Sequence, residues 1–181
     1  NDFSWGLTVT ATSPLSVTNL SAWYDGDDPA ATGIKPADAS AITTWVDKSG
    51  NSNNATQATA LKKPPYSTNG FATGKGSLLF DLTNAMLVAA DSASLDLSTG
   101  NFSLYTVHRP TAIDNQYHWF YEKGDGTNNS LDVSFGINNT NVLRMSSGNY
   151  SGSAFPNDKF GSTTLVANTS YLEDRTNTVE N

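Results

Sequence analysis

The chain contains no cysteine. Disulfides, thiolate metal centres and a cysteine nucleophile are therefore excluded together. Charge is also sparse: only 15% of residues are Asp, Glu, Lys or Arg, and acids outnumber bases to give a net charge of −7. A surface of that sign repels nucleic acid and anionic lipid, so phosphate-rich partners are not expected. No apolar run approaches the roughly 18 residues needed to cross a bilayer as a helix, so membrane insertion is not expected either. Helical periodicity is nearly missing, and no Gly-x-Ser-x-Gly elbow offers a serine nucleophile. The two histidines, His108 and His118, both fall in strand-like segments and are too few for a metal triad.

What is abundant is Asn, Ser and Thr, about a third of the 181 residues. These residues suit exposed strands and the turns between them. Apolar and β-branched residues recur in short alternating runs bounded by Gly, Asn, Asp and Pro, the pattern of half-buried strands. The alternation predicts strands over 6–12, 20–24, 41–46, 77–81, 85–89, 102–108, 117–122, 131–137, 141–146 and 163–171, with a hairpin about Gly136 to Leu143. Asp25-Gly26, Ser49-Gly50, Asn69-Gly70, Asp125-Gly126 and Gly148-Asn149 are turn signals, since each offers a positive φ at low cost. Residues 1–6 read as a linker, with the first strand opening near Leu7. The length suits one β-sandwich domain over 1–181.

Order along the first half is more specific than composition. From Leu20 the chain reads LSAWYDGDDPAATG; Trp45 to Gln57 reads WVDKSGNSNNATQ; then come a Pro-x-Tyr ending at Tyr66, the run LLFD at 78–81, and FSL at 102–104. This succession, over residues 20–110, resembles the concanavalin A-like, laminin-G-like jelly rolls of bacterial surface proteins, secreted multidomain proteins and phage structural proteins. The resemblance implies an all-β, antiparallel two-sheet jelly-roll sandwich. It fades beyond residue 110, which implies a fragment of a longer chain lacking the last strands of the sandwich.

Chemistry is expected in the loops. Asp47, Ser49, Asn51 and Asn54 concentrate oxygen donors in one Gly-containing turn, and Asp25, Asp27 and Asp28 supply a second acidic loop. Hard cations seek such donors, and the resemblance adds that related sandwiches bind calcium at the loop rim. Ca2+ is therefore the expected cofactor, with Asp25, Asp27, Asp47 and Asn51 as its ligands. The same residue types also cap plain turns.

Sugar recognition in such folds stacks pyranose rings on exposed aromatics. Tyr24, Tyr66, Trp119 and Tyr150 are the expected contacts. Strict alternation in YHWFYE puts Tyr117, Trp119 and Tyr121 on one face and His118 and Phe120 on the other. Trp23 and Trp45 read as buried packing residues. The glycosidases that share this fold class carry an E-x-D-x-x-E strand, and nothing here matches it; Glu173, Asp174 and Glu180 have the wrong spacing and Glu122 stands alone. The expectation is a non-catalytic carbohydrate or cell-surface recognition module, or an assembly domain contacting neighbouring subunits. Its place is then outside the cell, on the cell surface or on a virion.

Overall fold

A computed structural model describes residues 13–71, 74–81, 84–97, 101–124, 131–149 and 159–177. The predicted strand over 6–12, and Tyr150, lie outside them. The protein is all-β, built from antiparallel ladders of β-sandwich character; the described residues include single-turn 3-10 segments at Pro14–Ser16, Ala60–Lys62 and Ala93–Leu95.

Up to residue 97 the described strands are only two residues long: β1 (Thr44–Trp45), β2 (Ala55–Thr56), β3 (Tyr66–Ser67), β4 (Ser77–Leu78) and β5 (Val88–Ala89). They form a β1-β2-β5 sheet and a β3-β4 pair. Proline explains part of this brevity, because Pro64 and Pro65 precede β3 and cannot donate to a ladder. Side chains fill in for the missing ladders, as described below. A small core of Ile42, Tyr66 and Leu78, flanked by Trp45 and Leu87, holds this half.

From residue 102 onward the strands are regular. β6 (Phe102–His108) pairs with β11 (Tyr171–Asn177) without a break, His108 opposite Tyr171 and Phe102 opposite Asn177. β7 (His118–Lys123), β8 (Leu131–Ile137), β9 (Val142–Asn149) and β10 (Lys159–Thr164) make a four-stranded meander in chain order. The β8–β9 turn is fixed by one side chain: Asn138 Oδ1 accepts from Thr140 N at 3.0 Å, Thr140 Oγ1 at 2.9 Å and Val142 N at 3.0 Å. Asn141 adopts the positive φ the turn needs, 60°, a conformation Asn tolerates.

The main core lies against this meander. Phe135, Ile137, Leu143, Met145 and Leu165 are buried, and Phe102, Leu104, Ile113, Tyr121 and Tyr171 pack on them. Each fully buried side chain of that size contributes about 1.5–3 kcal/mol. β6 supplies the cover because FSLYTVH alternates, turning Phe102 and Leu104 inward and leaving Tyr105 and Val107 to solvent. Lys123 on β7 ties the halves together through Asp91 at 2.7 Å and Asp96 at 2.8 Å.

Several strand boundaries differ from expectation. The run 163–171 is two strands, because β10 ends at Thr164 and β11 starts at Tyr171 around a turn with Asn168 at φ 61°. Residues 20–24 form no ladder, only a bridge from Tyr24 to Asp47. Residues 172–177 were not anticipated as strand, since LEDRTN carries none of the β-branched alternation that signals one.

Candidate functional site

Asp47 organises the Trp45 to Gln57 loop. Its Oδ1 accepts from Trp23 N and Ser49 N, both at 2.9 Å; its Oδ2 accepts from Ser49 Oγ at 2.8 Å and Asn53 N at 3.0 Å. Its own N–H donates to Asn54 Oδ1 at 2.9 Å. Burial pushes the Asp47 carboxyl upward, yet these donors outweigh it and hold the group below the usual carboxylate range. Asn51 Nδ2 donates to the carbonyls of Leu20 (2.8 Å) and Ser21 (3.1 Å). Asn53, buried, donates to Ser21 O and Ser94 Oγ, both at 2.8 Å, and accepts from Ser92 Oγ at 2.7 Å. The motif thus stitches the 20–24 segment, its own loop and the 92–94 turn into one unit.

The second acidic loop is matched by lysines. Lys48 Nζ sits 2.8 Å from Asp25 Oδ2 and 2.9 Å from Asp28 Oδ2, over the Trp23 ring at 5.4 Å. Asp27 pairs with Lys35 at 2.8 Å and Lys75 at 3.3 Å and accepts from Gly76 N at 2.7 Å. The Lys35 hydrogen bond, helped by Gly76, draws the Asp27 carboxyl down to about 2. Asp25, Asp27 and Asp47 are therefore spread over two networks in which their carboxylate oxygens already meet ammonium, N–H or O–H donors, and Asn51 enters the Asp47 network through its Nδ2 as a donor. Among the described residues no group of three or more His, Asp or Glu is disposed to hold a metal ion.

Two of the expected aromatic contacts point inward. Tyr66 is 1% exposed and forms core, its hydroxyl donating to Asp27 O at 3.2 Å. Gly76 leaves room for that hydroxyl, since a Cβ there would lie 1.8 Å from it. Tyr24 packs on Trp45 with centroids 5.4 Å apart and donates to Asn53 O, and burial pushes its hydroxyl up to about 12. Trp45 is half-buried, with Nε1 donating to Asp25 O at 2.9 Å.

Trp119 is different. A bulge between Trp119 and Tyr121 adds one residue to β7, so Trp119 opposes Gly136 while Tyr121 opposes Phe135. Strict alternation would have kept Trp119 and Tyr121 together; the bulge instead sends Tyr121 into the core and leaves Tyr117 and Trp119 on the outer face, stacked 5.7 Å apart. The register continues from Gly136 to Arg144 on β9 and from Arg144 to Phe160 on β10. Across this row the Arg144 guanidinium lies 5.6 Å from the Tyr117 centroid, 5.7 Å from Trp119 and 5.8 Å from Phe160, within cation–π range. Tyr117 is 47%, Trp119 37% and Phe160 56% exposed. The next row on this face is polar, with Glu122 opposite Ser134 and Ser134 opposite Ser146; Glu122 is exposed and both serines are buried.

Arg144 and Phe160 were not anticipated as site residues. The signal for Arg144 was present, because a hairpin centred on Asn138 to Asn141 carries Gly136 opposite Arg144. Beneath the meander, His108 lies between Phe120 (4.4 Å) and Tyr171 (5.5 Å), and among the described residues neither ring nitrogen has a hydrogen-bond partner. No protein-family model, curated protein or solved structure matches the chain.

Proposed function

We propose that this chain is a non-catalytic recognition module, of the concanavalin A-like kind that its first half resembles, holding carbohydrate or another surface polymer on the outer face of β7–β10. An extracellular, cell-surface or virion setting accords with that role. The observation that carries the reading is the Tyr117, Trp119, Arg144 and Phe160 row: three half-exposed rings and a guanidinium gathered on one sheet face. Such rings offer flat apolar faces to the C–H side of a pyranose. No catalytic step is assigned: the exposed carboxylate of Glu122 stands beside two serines in its row, and retaining or inverting glycosidases work with a carboxylate pair. A glycan array read with wild type and Trp119→Ala tests the proposal. Retention of a glycan by wild type and its loss in the variant is the expected result; silence across the array removes the reading.

An assembly role rests on a separate feature. Tyr105, Val107 and Leu172 form an exposed apolar cluster on the outer face of the β6–β11 ladder. Sedimentation velocity distinguishes it, since a self-associating chain reverts to monomer on Val107→Asp.

A further inference from the structure

Resting on the reading above, we infer that the ligand is an uncharged, linear polysaccharide bound along its interior, lying across β7 to β10 rather than presenting one terminal sugar. Three features of the outer face converge on this ligand class.

The first is shape. Trp119, Gly136, Arg144 and Phe160 are successive register partners on four neighbouring strands. A row of that kind crosses three strand spacings, about 14 Å in all, which is longer than a single sugar ring. Tyr117 extends the Trp119 end by stacking on it. Aromatic faces thus stand at both ends of the row, which lets a chain continue past either one.

The second is the floor of the row. Gly136 sits between Trp119 and Arg144, and a Cβ there would meet Trp119 Cα and Cε3 at 2.8 Å and His118 O at 2.1 Å. The missing side chain lets the indole and the guanidinium meet over the strand. The result is a contiguous row of rings and guanidinium across four strands, with no side chain rising between Trp119 and Arg144.

The third is charge. Arg144 is the cation of the row, and its guanidinium is already faced by three rings. Glu122 stands exposed on the same face one row away, and the chain carries a net charge of −7. The net charge and Glu122 together disfavour a polyuronate or sulfated chain, a penalty that a neutral chain does not meet. Glu122 can in turn accept hydrogen bonds from sugar hydroxyls, as a carboxylate has acceptors only.

Affinity electrophoresis of the intact chain in gels containing single polysaccharides tests this. The neutral set is linear β-1,4- and β-1,3-glucans, mannan and xylan; the acidic set is alginate and polygalacturonate. We expect retardation by at least one neutral polymer, unchanged by added salt, and none by the acidic set. Trp119→Ala and Phe160→Ala should each weaken it about tenfold or more; Phe160 lies on the edge strand β10, so its loss leaves the Gly136 crossing intact, and thermal unfolding checks that both variants fold. Oligosaccharides of the bound polymer should compete with rising potency as they lengthen. Stronger, salt-sensitive retardation by the acidic set would overturn the neutral assignment while leaving glycan recognition standing. Equal competition by disaccharide and long oligosaccharide would overturn binding along the interior. No retardation by any polymer would overturn both this inference and the recognition reading.

Discussion

Trp119 on β7 and Arg144 on β9 meet across Gly136, the guanidinium carbon 5.7 Å from the indole centroid, because the strand between them has no side chain at the crossing. Gly136→Ala should therefore disturb this face more than its size suggests. Its Cβ would fall 2.1 Å from His118 O and 2.8 Å from Trp119 Cα, both backbone atoms that cannot swing aside. Overpacking of that kind costs about 1–3 kcal/mol. The expected outcome is a lower denaturant midpoint and a shifted near-UV signal from displaced Trp119. An alanine variant with unchanged midpoint and spectrum would show that the crossing tolerates a side chain.

Asp47 is the next sensitive point. Its carboxylate accepts from three backbone N–H groups, of Trp23, Ser49 and Asn53, and from the Ser49 hydroxyl. Asp47→Ala leaves those donors in a half-buried loop without their acceptor, and a buried donor left unmade costs about 1–3 kcal/mol. Loss of two or more such bonds predicts destabilisation of about 3 kcal/mol, measured by urea unfolding. Asp47→Asn should cost less, since its one carbonyl oxygen keeps part of the set. Because the folded carboxyl titrates below its unfolded value, its contribution is present above about pH 4 and fades as pH falls further.

Lysine occupies the position a cation would take beside Asp25 and Asp28. Lys48→Met removes the ammonium that sits 2.8 and 2.9 Å from their carboxylates. Partly exposed ion pairs are individually worth about 1 kcal/mol or less, so a loss of about 1–2 kcal/mol is expected. The variant leaves two carboxylates facing one another, an arrangement that favours a divalent ion. Millimolar Ca2+ should therefore raise the Tm of Lys48→Met and leave that of wild type unchanged. A rise in wild type would restore the Asp25 and Asp47 loops as a native calcium site.

Sequence pattern located the regular strands and lost the irregular ones, for identifiable reasons. FSLYTVH at 102–108 and LDVSFGI at 131–137 alternate cleanly, and the structure places β6 and β8 over those residues. YHWFYE alternates as well, but a bulge adds one residue without marking the sequence, so Tyr121 turned inward where the pattern paired it with Trp119. Residues 20–67 were harder, because they are held by side chains bonding to backbone. Asp47, Asn51 and Asn53 use the same oxygen and amide groups for that task as they would for a metal, and sequence alone does not separate the two uses. Tyr24 and Tyr66 illustrate a related limit: an aromatic beside a polar loop reads as a ligand contact, yet each here places its hydroxyl on a backbone carbonyl.

His108 should make the domain acid-sensitive in a defined window. The imidazole lies between Phe120 and Tyr171, so it joins β7 of the meander to the β6–β11 ladder. Burial there disfavours the cation and lowers its pKa from the ordinary 6.5 to about 4. Between those values the unfolded chain binds a proton that the folded chain does not, so folding weakens as pH drops from about 6.5 towards 4 and is at full strength above it. The lowered carboxylates, Asp27, Asp28, Asp47, Asp91 and Asp114, act in the same direction, but only below their unfolded value of about 3.9. The interval from pH 6.5 to 4.5 therefore isolates the imidazole from them. His108→Phe keeps an aromatic ring between Phe120 and Tyr171 and removes the titration. Urea midpoints measured across that interval should slope downward with acidification in wild type and run flatter in the variant; equal slopes would place the acid response elsewhere.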